Sequence, residues 1–268
     1  MQVVSISSLK GGVGKTSVTL GLASAALAKG VPTLVVDLDP HADASTGLGV
    51  DPERSHPIGE LLRNPRRADL DAAVSPSAWT ARAQRRSPST TTRLDVAQGS
   101  ALSGYYDRPD LRVRELRRLS RVLERSSQYE LVLIDCPPSL SGLTRMAWFA
   151  SHGVALVAEP SLFSVAGTER SLRALELFRS EFTTHLETVG VIANRYKEGS
   201  PEHAFRLSEL RTMFGEKLLS PVLPESPQWQ QIQGAAHAVH HWPGDAAADT
   251  AKLYEELLGN ITSSLPQG

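Results

Sequence analysis

Seven short runs of aliphatic and β-branched residues punctuate the chain, at 2–7, 33–36, 94–97, 131–134, 154–158, 188–193 and 219–223. They are apolar along most of their length, not at alternate positions, which is the pattern of strands covered on both faces. Between them, apolar residues recur at helical spacing over 15–29, 109–127, 143–151, 166–179, 202–214 and 246–258. These segments predict helices. Strands alternating with helices predict βαβ units with right-handed crossovers, hence an α/β fold with a mainly parallel, twisted sheet. The stretch 75–92 is rich in Ser, Thr, Arg and Pro and breaks the pattern. It reads as a mobile surface loop within a single domain spanning 1–262, with 263–268 as a frayed tail.

Composition narrows the function classes. A net charge of -1 gives no global signal for nucleic acid, so any basic surface must be local. One cysteine, Cys136, excludes an internal disulfide framework and a cysteine-based metal site, and it fits a reducing compartment. Cys136 follows four apolar residues and an aspartate without a base motif, so it reads as a small buried residue and not a nucleophile. The chain opens on a strand-like run without a signal pattern, and no apolar run reaches bilayer length. A cytoplasmic protein is the expectation.

The sharpest chemical feature is Lys10-Gly11-Gly12-Val13-Gly14-Lys15-Thr16-Ser17, between the first strand and the first long helix. Glycines let the backbone curl so that several N–H groups face a phosphate, and the helix N-terminus adds partial positive charge. Lys15 is placed to reach β- and γ-phosphates, and the Thr16 hydroxyl to ligate Mg²⁺. The second strand ends in Asp37-Leu38-Asp39-Pro40, with Asp43 just beyond. Carboxylates at the carboxyl end of a parallel strand sit where open α/β sheets bind ligands, and burying the pair without a cation is unfavourable. Leu131-Val132-Leu133-Ile134-Asp135 has the form of a Walker B strand, with Asp135 holding Mg²⁺ directly or through water.

Together, the Lys-Gly-Gly-x-Gly-Lys-Thr loop, Asp37-x-Asp39-Pro40 and Asp135-Cys136-Pro137-Pro138 resemble the deviant Walker A ATPases, the ParA/MinD family. The resemblance runs from residue 1 to about 260, with only a loose match over 51–110. It implies a P-loop NTPase three-layer sandwich that uses ATP and Mg²⁺ and closes into an ATP-dependent homodimer. It also implies residue roles. Lys10 reaches across the dimer to the partner's nucleotide. Asp39 orients or deprotonates the attacking water, Asp37 supports the metal shell, and Asp43 takes a further metal role. Pro137-Pro138 matches the segment that senses the γ-phosphate. Asn194, in Ala193-Asn194-Arg195-Tyr196, contacts adenine. Pro224 and Glu225 lie in the loop that packs on the base.

Within the family, a single cysteine excludes the shared Fe–S cluster of the nitrogenase iron protein. The terminal helix carries acids and no basic rim, so it resembles a packed helix, unlike the membrane anchor of MinD. ParA proteins bind DNA without sequence preference, and Arg114, Arg117, Arg118, Arg121 and Arg125 would form one helical stripe. A solvated face with acidic partners is the competing reading. Arg195, Lys197, Arg206, Arg211 and Lys217 are further basic candidates. Against nucleoid association stand Glu225, Gln228 and Gln230, where chromosomal partition ATPases commonly carry arginines.

The opening residues are similar to orphan ParA-like proteins of actinobacteria. The family reading therefore implies a partition or positioning ATPase with slow, partner-stimulated hydrolysis and a ParB-like or other activator. Alternatives are a MinD-type division-site regulator and a metabolic P-loop kinase or ligase. His237, His240 and His241 read as a loop before Trp242-Pro243 in preference to a zinc site, because no carboxylate or thiolate accompanies them.

Overall fold

A computed structural model describes residues 1–51, 56–86, 92–183 and 185–266. In chain order, β1 (Gln2–Ser7) leads through the glycine-rich loop into α1 (Lys15–Ala28), and β2 (Thr33–Asp37) is followed by the short α2 (Asp43–Gly47). Next come α3 (Ile58–Arg63), α4 (Leu70–Ala73), β3 (Ser75–Pro76), α5 (Ala78–Arg86) and β4 (Leu94–Ala97). After a 3-10 turn at Ala101–Tyr106 lie α6 (Val113–Leu116), α7 (Arg118–Leu123), β5 (Leu131–Asp135) and α8 (Gly142–Ala150). The chain ends with β6 (Gly153–Ala158), α9 (Leu162–Phe182), β7 (Glu187–Ala193), α10 (Pro201–Phe214), β8 (Leu218–Leu219), α11 (Trp229–Gly234) and α12 (Asp245–Ser263).

The eight strands form one sheet in the order β3-β4-β2-β5-β1-β6-β7-β8. Every pairing is parallel except β3 with β4. Alternate residues of the central strands feed two separate cores. Leu34, Val36, Val132 and Ile134 pack with Leu116, Trp148 and Leu175 on one face. Val4, Ile6, Val35, Leu131 and Leu133 pack with Leu22, Leu27, Leu257 and Ile261 on the other. The period-two side-chain direction of a strand explains why these runs are apolar throughout. The result is the expected three-layer sandwich. The carboxyl ends of β1, β2 and β5 lie side by side, and Asp37 is in register with Asp135.

Three local expectations change. In place of a loop over 75–92, Ser75–Pro76 pairs with β4 and α5 packs through Trp79 and Ala83, both buried. Trp79 also donates its indole N–H to the Ala236 carbonyl at 2.8 Å. Two apolar anchors outweigh the polar composition around them. Residues 87–91, the rest of that expected loop, lie outside the described residues. The helix expected over 109–127 is shorter and broken. The Glu115 carboxylate accepts from the Arg112 N–H at 3.1 Å and sets the start at Val113, and Arg117 (φ -75°, ψ 1°) separates α6 from α7. The tail expected to fray is held as far as Leu265, which is buried in the second core because its side chain fills space beside Gly153 and Val189. Gly268 and Gln267 lie outside the described residues.

Candidate active site

A cleft of about 720 Å³ opens at the carboxyl ends of the central strands. Its walls include Gly11, Gly12, Gly14, Lys15, Thr16 and Ser17 from the loop and the start of α1. Asp39 and Asp43 follow β2, Asn194 follows β7, and Pro224 and Glu225 lie in the loop after β8. Most residues expected at the phosphate, metal and base positions thus share one cleft, although more than two hundred positions separate Gly11 from Glu225; Val13, Asp37 and Asp135 are buried behind its walls.

The loop's curl has a steric origin. Gly12 and Gly14 adopt φ of 80° and 88°, a left-handed conformation that side chains disfavour. A Cβ at Gly14 would also lie 2.4 Å from the Asn194 amide nitrogen, so both conformation and space demand glycine there. Val13 is fully buried, and it anchors the loop in the core between these two glycines.

Beneath the cleft floor, Asp135 is completely buried, and both its oxygens accept hydroxyl protons at 2.8 Å, Oδ2 from Thr16 and Oδ1 from Thr19. Burial pushes its carboxyl up to about 6, against the pull of those two hydrogen bonds and of Lys15. Asp37 is equally buried. It accepts from the Ser45 N–H at 2.8 Å, the Ser45 hydroxyl at 2.7 Å and the Asp39 N–H at 3.2 Å. Burial, then the neighbouring Asp135, raise it to about 7. Lys15 is buried too, and desolvation lowers its pKa although Asp135, Cys136 and Asp39 favour its charge. Cys136 is a buried thiol whose pKa burial raises to about 12, so it stays protonated.

Asp39 and Asp43 are more open to solvent, and Asp39 accepts from the His41 N–H at 3.0 Å. Among the described residues no cage of three His, Cys, Asp or Glu side chains is preformed. Mg²⁺ keeps waters and takes phosphate oxygens alongside one or two protein ligands. The donor set fits: the Thr16 oxygen can ligate a cation with its lone pairs while its O–H stays on Asp135.

Two of the expected residues hold contacts within the chain. Asn194 is buried, and its amide donates to the Val13 carbonyl at 2.9 Å, so it braces the phosphate loop. Lys10 does not line the cleft. Its Nζ lies 3.5 Å from Glu159 Oε2 and 3.2 Å from the Ser161 hydroxyl, at the end of β6. The segment after Asp135 is tethered as well: Ser139 and Ser141 donate to Asp107, and the Ser139 carbonyl accepts from Thr144 at 2.6 Å.

Sequence reasoning missed Thr19, Ser45 and the Glu159–Ser161 pair. Thr19 was findable, since it lies three residues beyond Thr16 on the same helix face. It also missed Gln233, which donates to the Ser17 hydroxyl at 3.0 Å and lines the cleft with Trp229 and Tyr254.

The basic candidates are largely engaged. Arg118 donates to the Leu62 and Arg63 carbonyls and lies over Tyr106, Arg125 donates to the Arg66 carbonyl, and Arg117 stacks on Phe149. Arg195 and Lys197 pair with Glu225, Arg206 with Glu202 and Glu209, and Lys217 with Glu176. His240 joins Ser24 of α1 to Glu255 of α12, and His237 packs on Trp242. Among the described residues no helix is long and apolar enough to cross a membrane. Tyr254, Leu257, Leu258 and Ile261 of α12 are buried in the second core.

The AAA domain family matches residues 1–188. The chromosome partitioning protein ParA of Caulobacter vibrioides is 31% identical over 231 residues, which is 84% of this chain and 81% of that protein. The chromosome-partitioning ATPase Soj of Thermus thermophilus is 29% identical over 96% of both chains. Among solved structures, an ATP complex of a Cyanothece McdA variant superposes with a TM-score of 0.78 at 20% identity, covering 100% of this chain and 98% of the other. Cobyrinic acid a,c-diamide synthase of Mycobacterium smegmatis, with an ATP analogue and magnesium, gives 0.77 at 21% identity, covering 97% and 93%. With its phosphate loop, its paired strand-end aspartates and its relatives in agreement, the chain belongs to the ParA/MinD family of P-loop ATPases.

Proposed function

We propose that this chain is an ATP-driven monomer–dimer switch that positions a chromosome, a plasmid or another intracellular cargo, with slow hydrolysis that an activator protein accelerates. The observation that carries it is Lys10. A lysine at the start of the phosphate loop is not among the residues lining the cleft formed by that same loop and rests on Glu159 and Ser161. A cation so placed is available to a nucleotide held by a second copy.

Each remaining group has a task. The amides of 11–16 cradle the phosphates of ATP, Lys15 neutralises the β- and γ-oxygens, and Asp39 orients the attacking water. Thr16, with Asp43, would hold Mg²⁺, and Asp37 fixes the Asp39 backbone through its N–H and would support the metal shell. Magnesium supplies charge neutralisation of the phosphates when bound. Asp135, which accepts the Thr16 hydroxyl proton, would hold the cation directly or through water.

The activator is a ParB-like protein or another partner. Non-specific DNA, as the ParA resemblance implies, would rest on Arg114 and Arg121, because Arg117, Arg118 and Arg125 contribute to packing. The test of the switch is Lys10→Ala. That variant binds labelled ATP as the parent does and stays monomeric in analytical ultracentrifugation with ATP and Mg²⁺. A normal ATP dimer of Lys10→Ala would end the in-trans assignment.

A further inference from the structure

We infer that Arg195 is a positioning residue that, with Asn194, sets the phosphate loop by fastening its outward carbonyls. This rests on the cleft being a nucleotide site. Arg195 Nη1 donates to the Gly12 carbonyl at 2.9 Å, and Asn194 Nδ2 donates to the next carbonyl, that of Val13, at 2.9 Å. Two consecutive residues after β7 therefore hold two consecutive carbonyls of a loop about 180 positions earlier in the chain, a separation of 181 and 183. In a trans peptide, the C=O of one residue and the N–H of the next point in opposite directions. Fastening the Gly12 oxygen thus aims the Val13 N–H, and fastening the Val13 oxygen aims the Gly14 N–H. An anion cradle needs such amides oriented before the ligand arrives.

The backbone at Arg195 supports this role. Its φ is 60°, a left-handed conformation uncommon for a residue with a long side chain. Such strain persists where surrounding contacts hold it, and it gathers at functional sites. Here the turn lets adjacent side chains reach adjacent carbonyls. The guanidinium has a second anchor, Glu225 Oε1 at 3.4 Å, and Glu225 also holds Lys197 at 3.3 Å. The Glu225 N–H in turn donates to the Tyr196 carbonyl at 2.9 Å. Arg195 and Glu225 both line the cleft. One side chain therefore joins the phosphate loop to Glu225, in the segment where the resemblance places the base.

The test measures binding of MgATP and of magnesium tripolyphosphate, by calorimetry, to the full chain. Tripolyphosphate reads the cradle without base or ribose. Arg195→Ala weakens both ligands about tenfold and by the same factor, and Arg195→Lys, which keeps one donor, falls between. Arg195→Gly relaxes the left-handed strain, so its fold is not burdened; it weakens both ligands as Arg195→Ala does. Wild-type affinity in Arg195→Ala or Arg195→Gly would overturn the inference. So would a loss confined to ATP, which marks a base or ribose contact. If the parent chain itself binds neither ligand, the nucleotide reading of the cleft fails, a result distinct from both.

Discussion

At the scale of single residues, the site works by oriented polar groups under a low-dielectric floor. Asp135 has no solvent contact, and its two partners, Thr16 and Thr19, divide the labour. Thr16 faces the cleft, whereas Thr19 lies away from it, its single hydroxyl proton shared between Asp135 and the Lys15 carbonyl at 3.1 Å, and only braces. Thr19→Val removes a hydrogen bond to a buried carboxylate, which is expected to lower stability by about 1–3 kcal/mol. Urea unfolding without nucleotide checks this, and a variant as stable as the parent would remove the bracing role. The loop, Asp39 and Asp135 were legible because glycines, strand ends and carboxylates have chemical reasons to coincide. The bracing use of Asn194 was not, because an amide can serve a base edge or a backbone carbonyl equally well, and only the fold brings Val13 within reach.

At the scale of elements, packing overrode composition in two places. The segment after β3 is polar enough to read as a loop, yet Trp79 and Ala83 at helical spacing bury one face of α5. Trp79→Ala should cost about 3–5 kcal/mol, measured as a lowered urea midpoint. A change below about 0.5 kcal/mol, typical of surface substitutions, would mean that α5 contributes little. The arginine stripe over 109–127 assumed one straight helix. The break at Arg117, the Leu62, Arg63 and Arg66 carbonyls and the Phe149 ring divert three of its five arginines, contacts that no local periodicity encodes.

A third element-scale consequence concerns pH. Buried His240 links α1 to α12, facing Ser24, Glu255 and His241, and desolvation lowers its pKa below 6.5 despite the attraction of Glu255. A depressed histidine contributes stability that is present above its unfolded pKa and lost as pH falls through the folded one. His241 shifts in the same direction, also chiefly through burial. The melting temperature of the parent should therefore drop between pH 7 and pH 5 by more than that of His240→Gln. Parallel profiles would remove His240 from this linkage.

At the scale of the molecule, the sheet order places three strand ends under one cleft, and Lys10 rests outside its lining on Glu159 and Ser161. The alternation of apolar runs and helical segments made the sandwich legible, since a parallel sheet must be covered on both faces. The small elements α3, α4 and α11 and the short β3 were not, because they are too brief to carry a period and form only against the rest of the fold.

The most direct measurement of the switch is the solution mass of Asp39→Ala with Mg²⁺ and either ATP or ADP, by light scattering coupled to gel filtration. Without its water-orienting carboxylate the variant should hold ATP uncleaved, so its mass doubles with ATP and stays that of one chain with ADP. A single-chain mass with ATP bound would contradict the account.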